Sequence, residues 1–138
     1  MYQQAWQKML QANHILIVSH VHPDGDTLGS ALALYEVLKN AGKKVSHYNK
    51  TKELPYVYDF LPGFSKIKNE LPKGFDLVIS CDCSTLDRLK LPEGAYEIIN
   101  IDHHITNHYF GMMNLVVDRF TSAGMVVYEL LKANEIAI

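Results

Sequence analysis

The sequence predicts an α/β domain of three layers, a mainly parallel sheet with helices on both faces, and three observations predict it. Runs of branched apolar residues, Ile15-Leu16-Ile17-Val18, Leu77-Val78-Ile79 and Ile98-Ile99, have the unbroken hydrophobicity of strands buried on both faces. Stretches with apolar residues at helical spacing stand between and around them, as crossover-connected strands require. Each of the three runs also leads into acidic and histidine residues: His20, Asp24 and Asp26 after the first, Asp82 after the second, and Asp102-His103-His104 after the third. Parallel strands place their carboxyl ends on one side of the sheet, where open α/β sheets bind their ligands.

The chain justifies each element in order. Residues 2–13 read as a packing helix with Ala5, Trp6, Met9 and Leu10 on one stripe. The strand His14–Ser19 follows, then the loop S-H-V-H-P-D-G-D-T, in which Pro23 and Gly25 shape a turn that lets Asp24 and Asp26 converge. A helix over 27–41 carries Leu28, Ala31, Leu32, Leu34, Tyr35 and Leu38, and Gly42 ends it. Residues 43–48 read as a less apolar strand nearer the sheet edge. Pro55 and Pro62 bracket a short helix whose Tyr56, Val57, Tyr58, Phe60 and Leu61 are expected in the core, and 64–69 as a short strand. A turn at 71–74 precedes the strand 77–81, and a helical turn begins near Thr85. Strands over 96–101 and 112–117 follow, with a last helix over 123–133 capped by Thr121 and Ser122. Gly124 leaves backbone N–H groups of that helix open to an anion, with a plain cap as the alternative.

Composition narrows the function. With 138 residues, 48% hydrophobic and 20% charged, the chain is expected to form one globular domain that buries roughly two-thirds of its unfolded surface. A net charge of -2 gives no basic field for long nucleic acid or duplex DNA, so a phosphate-bearing ligand must be held locally. No leader pattern and no apolar run near the ~20 residues of a bilayer span are evident, so a cytoplasmic protein with no membrane partner is expected. A homodimer is compatible with this composition.

Convergent carboxylates repel, and in a partly dry pocket a divalent cation relieves them. The alternatives are helix caps at Asp24 or Asp26 and at Asp82. Adjacent His103 and His104 project differently, so one can bind a metal while the other faces a substrate. Carboxylate and imidazole together favour manganese, magnesium or iron over thiolate-loving metals. Cys81 and Cys83 are read as small buried core residues, with both thiols pointing away from the face that carries Asp82.

These motifs, H-V-H-P-D-G-D-T-L-G-S, the Asp of C-D-C-S and D-H-H-I-T-N, resemble the first three motifs of the DHH phosphoesterases. Within them the chain is most similar to the bacterial nanoRNase branch, oligoribonucleases that also dephosphorylate 3′-phosphoadenosine 5′-phosphate. The resemblance implies a parallel α/β domain with two divalent ions, Mn2+ with Mg2+ as the substitute. One ion would be held by His20, Asp24 and Asp82, the other by Asp26, Asp82 and His103, with Asp82 bridging. His104 and Asn107 would face the phosphate or nucleotide, Asp102 would orient a histidine, and His104 with Asp102 would form the catalytic pair. His22 falls where the motif varies and is read as supporting the ligands from behind. Met125 stands where relatives carry a polar element. The family's next metal-binding aspartate and its second, substrate-gripping domain are expected beyond residue 138, so this domain is read as incomplete, its second metal site short of a ligand and its own turnover weak. A pyrophosphatase or polyphosphatase with a similar site, or a metal- or nucleotide-binding module without turnover, are the competing readings.

Overall fold

The computed structural model describes residues 1–137; Ile138 lies outside the described residues. Three α-helices, α1 (Tyr2–Gln11), α2 (Gly25–Asn40) and α3 (Ala123–Ala133), accompany six strands: β1 (His14–Ser19), β2 (Lys44–Tyr48), β3 (Ile67–Lys68), β4 (Leu77–Cys81), β5 (Ile98–Asp102) and β6 (Met113–Val116). The strands form one sheet in the order β3-β2-β1-β4-β5-β6, and every pairing is parallel. This is the α/β architecture that the apolar runs predict.

Burial explains why β1, β4 and β5 are so apolar. Every residue of these three strands is buried, because they occupy the middle of the sheet. One face packs Ile15, Ile17, Ile79, Ile99 and Ile101 against α1, α2 and α3, through residues such as Met9, Leu34 and Leu130. The other face carries Leu16, Val18, Val78 and Ile98 and is covered by a 3₁₀ helix, Leu86–Leu89, and neighbouring loop residues. Truncating a fully buried residue such as Ile17 to Ala costs about 2–5 kcal/mol at a site of this kind. At the entrance to β6, a Cβ on Gly111 would stand 2.6 Å from the Met113 carbonyl oxygen and 2.9 Å from that of Ile98, so only glycine fits there.

The topology fixes where the chemistry sits. From β1 the chain moves outward to β2 through α2; from β4 it moves the opposite way to β5 through the 3₁₀ helix on the other face. Right-handed crossovers running in opposite senses open a crevice beyond the carboxyl ends of β1 and β4.

Two sequence-based expectations fail here. Tyr56, Val57 and Phe60 are 83%, 63% and 75% exposed rather than core residues, because a single 3₁₀ turn, Tyr56–Tyr58, is too short to bury an apolar face. The thiols do not share a face either. Cys81 follows the alternation of β4 into the helix-covered core beside Ile79, but Asp82 then adopts a left-handed conformation (φ 61°) that turns Cys83 into the opposite core. Both remain buried, as expected.

Candidate functional site

The segment after β1 is held from beneath by polar residues of β2 and the turn beyond it. The Asn49 amide donates to Ser19 Oγ (2.7 Å) and to the His20 carbonyl (3.0 Å), and His47 Nε2 bonds the same hydroxyl (2.8 Å). The His22 N–H donates to Thr51 Oγ1 (2.9 Å), which anchors a residue in the left-handed region (φ 55°). His22 itself is exposed, and its side chain makes no hydrogen bond among the described residues. Asp24 then N-caps α2 by accepting from the Thr27 N–H (2.9 Å). The capping alternative is thus real, but it uses only part of that carboxylate.

A first group of lone pairs converges on Thr27. Its hydroxyl oxygen lies 2.8 Å from His20 Nε2, 2.9 Å from Asp24 Oδ1 and 2.7 Å from Asp82 Oδ2. One hydroxyl proton faces three acceptor atoms, so two of these lone pairs have no donor in Thr27. His20 Nδ1 lies 2.8 Å from the Val21 carbonyl, the contact that places its proton there and leaves Nε2 with the lone pair. Burial holds the His20 pKa below the usual imidazole value, which favours that neutral form. Burial raises the Asp24 carboxyl, but the Thr27 N–H and hydroxyl and nearby His20 outweigh it, so its pKa falls below the ordinary value.

A second group faces the other oxygen of Asp82. His103 Nε2 is 3.3 Å from Asp82 Oδ1 and 3.5 Å from Asp26 Oδ2, while His103 Nδ1 faces the Phe120 carbonyl at 3.3 Å. Asp26 is fixed from a distant part of the chain, since its two oxygens accept from the Ala123 N–H (2.9 Å) and Gly124 N–H (3.0 Å) at the start of α3. The anion expected at that helix N-terminus is therefore the Asp26 carboxylate.

Asp82 joins the two groups. It is 4% exposed, and its Oδ1 is buried without a hydrogen-bond partner among the described residues. Burial, with Asp26 and Asp24 adding repulsion, pushes its carboxyl up to about 6. A buried carboxylate oxygen with no donor, beside an imidazole lone pair and further carboxylates, is the environment a divalent cation fits.

Behind this centre a chain of polar groups runs from buried Asp102 of β5 outward to the exposed His104. His104 Nδ1 bonds Asp102 Oδ1 (2.7 Å), and Asp102 Oδ2 accepts from the Asn107 amide (2.8 Å). The Asp82, Asp102, His103 and His104 ligand atoms lie within 4.8 Å of one another, a cluster able to hold a metal. Asp102 has both oxygens committed, however, and is fully buried, so it acts on His104.

Asn107 departs from its expected place. Its amide also donates to the Cys83 carbonyl (3.3 Å), and its oxygen accepts from the Asn100 amide (2.8 Å) and the Tyr109 N–H (2.6 Å). Asn107 is only 7% exposed and its amide group is engaged internally, one of these bonds bracing Asp102. Met125 is 41% exposed, with Thr121 Oγ1 3.3 Å from its sulfur. The thiols take no part: burial pushes Cys81 far above the usual thiol range and Cys83 up to about 11.

Two residues at this centre escaped the sequence reading. Thr27 was legible only as a helix residue, although its place beside Asp26 in D-G-D-T was a signal. Arg88, whose Nη2 lies 3.0 Å from His20 Nδ1, sits 68 residues away in sequence with no motif around it.

Comparison with known proteins identifies the family. The DHH family, N-terminal domain, matches residues 14–138. The bifunctional oligoribonuclease and PAP phosphatase NrnA of Thermus thermophilus is 32% identical over 137 residues, which cover 91% of this chain and 41% of that protein. The Bacillus subtilis protein of the same name is 30% identical over 119 residues, 84% of this chain and 37% of its own length. The chain thus spans about two-fifths of the length of these relatives. A crystal structure of an exopolyphosphatase-related protein from Bacteroides fragilis superposes with a TM-score of 0.83 at 25% identity, covering 96% of this chain and 43% of that one. The three Asp- and His-bearing strand ends thus belong to a member of the DHH family, whose N-terminal domain this chain carries.

Proposed function

We propose that the protein is a divalent-metal-dependent phosphoesterase, cytoplasmic and active on short oligoribonucleotides and nucleoside 3′-phosphates such as 3′-phosphoadenosine 5′-phosphate. The observation that carries this reading is the division of Asp82, with Oδ2 among His20 and Asp24 and Oδ1 among Asp26 and His103. These five residues would hold two ions, Mn2+ in preference to Mg2+ given two imidazoles among the ligands. Divalent ions supply Lewis acidity toward phosphoryl oxygens and lower the pKa of water toward neutrality.

The protein's own groups do the rest. Nδ1–H donation to the Val21 and Phe120 carbonyls turns the Nε2 lone pairs of His20 and His103 inward. The α3 N-terminus aims Asp26, whose two oxygens accept its first free N–H groups. Asp102 holds the His104 Nδ1 proton, leaving Nε2 to exchange a proton with the phosphate or the leaving oxygen. The net charge of -2 supports short substrates over long duplexes, and a homodimer remains compatible with it.

The test is turnover by the full-length protein with Mn2+ or Mg2+ on a diribonucleotide, 3′-phosphoadenosine 5′-phosphate, pyrophosphate and polyphosphate. Hydrolysis of the two nucleotides is expected. Phosphate release from pyrophosphate or polyphosphate alone would replace this reading with the one suggested by the exopolyphosphatase-related neighbour, and metal uptake without any turnover would leave a binding module.

A further inference from the structure

Arg88 stands at the rim of the site with hydrogen-bonding capacity that nothing uses well. Its Nη2 lies 3.0 Å from His20 Nδ1 and 3.4 Å from the Val21 carbonyl, and no carboxylate lies within 4.0 Å among the described residues. The imidazole contact is contested. The Val21 carbonyl, 2.8 Å from the same Nδ1, can only accept, and the guanidinium can only donate. When Nδ1 carries its proton toward Val21, as an inward lone pair on Nε2 demands, Arg88 faces an N–H and gains no bond.

The position is nonetheless built. The Val21 N–H donates to the Arg88 carbonyl (3.2 Å), which ties the 3₁₀ helix Leu86–Leu89 to the segment that carries His20. Among the described residues it is the one Lys or Arg whose side chain reaches a residue of the site within hydrogen-bond distance. An exposed guanidinium beside a carboxylate-rich centre, with a planar fork of donors to spend, suits an anion brought in by the substrate. It lies on the Nδ1 side of His20, with the ring between it and the Asp24 and Asp82 carboxylates. A phosphate there is a different one from the phosphate at the centre.

We propose that Arg88 is a specificity residue that binds a second, non-scissile phosphate of the substrate, so that the site selects nucleotides carrying two phosphate groups over monophosphates. This rests on the phosphoesterase reading above, and its test separates the two.

Wild-type, Arg88→Ala and Arg88→Lys full-length proteins, loaded with Mn2+, are titrated calorimetrically with adenosine 3′,5′-bisphosphate and with adenosine 3′-monophosphate, and KM is measured for both. The wild type should bind the bisphosphate more tightly. In Arg88→Ala that preference should shrink about tenfold, equal to about 1.4 kcal/mol, with Arg88→Lys recovering part of it. Unchanged metal content in the variants confirms an intact centre. Equal weakening toward both ligands, or a wild type without preference, overturns the inference. Preferential binding that depends on Arg88 without any turnover would uphold it and sink the phosphoesterase reading instead.

Discussion

Asp76 and Asp82 flank β4, one just before Leu77 and the other just after Cys81, and the fold treats them in opposite ways. Asp76, at the amino end, is exposed and accepts the Asn13 N–H (2.9 Å) and the His14 N–H (2.8 Å). Those two donors hold its carboxyl below the ordinary value. Asp82, at the carboxyl end, is buried, carries an oxygen without a partner and is pushed up to about 6. One carboxylate closes a loop onto the sheet and is satisfied by backbone. The other is kept unsatisfied by Asp24, Asp26 and burial, which is costly unless a ligand completes it. At the two ends of one strand, the unmet hydrogen-bonding demand separates an acid satisfied by backbone from the one proposed to hold metal.

The largest break in this contrast comes from Asp82→Asn. It removes charge from both lone-pair groups at once, so metal uptake should collapse and turnover fall to background, whereas the same change at Asp76 leaves metal content alone. In metal-free protein the effect on stability reverses: Asp82→Asn should raise Tm, because an uncompensated buried charge is gone. Elemental analysis and thermal denaturation of the two variants check both halves, and equal metal content would refute the bridging role of Asp82.

Next in size is the separation of the adjacent histidines. His103→Ala should lower metal content, while His104→Ala should retain metal and lose about 10²–10⁴-fold in turnover. Asp102→Asn, acting through His104, should lose about 10–100-fold with metal retained. The opposite pattern of metal content would exchange the roles of His103 and His104.

How much of this was legible follows from the range of each signal. The middle strands announce themselves because a parallel strand buried on both faces needs an unbroken apolar run, and Ile15-Leu16-Ile17-Val18 has one. The acids at strand ends were legible once the strands were parallel. Contacts that depend on distant backbone were not: Asp26 meets Ala123 and Gly124 across 97 and 98 residues, and Asn107 turns inward because Asn100 and Cys83 are waiting there. Alternation misplaced Cys83 because a left-handed residue, normally a glycine's task, falls on Asp82. Aromatic content misplaced Tyr56 and Phe60, since apolar character does not say whether a surface exists to receive it.

The smallest expected effect falls on the satisfied aspartate. Asp76→Ala strips acceptors from two backbone N–H groups, and because the site is open to water they can turn to solvent, so the cost should be about 1 kcal/mol or less. Its pH dependence carries the sign of a depressed carboxyl. The folded state holds Asp76 ionised more firmly than the unfolded chain does, so its contribution is present above the ordinary value of 3.8 and is lost as pH falls through the lower folded value. The stability difference between wild type and Asp76→Ala should therefore be constant near neutrality and close below about pH 4. Taking the difference cancels His47, whose burial pushes its imidazole down to about 3 in both proteins and whose contribution to acid unfolding they share. A gap that persists into acid would mean that the two N–H bonds matter for geometry and not for charge. Unchanged metal content across the same series would show that the two ends of β4 are independent.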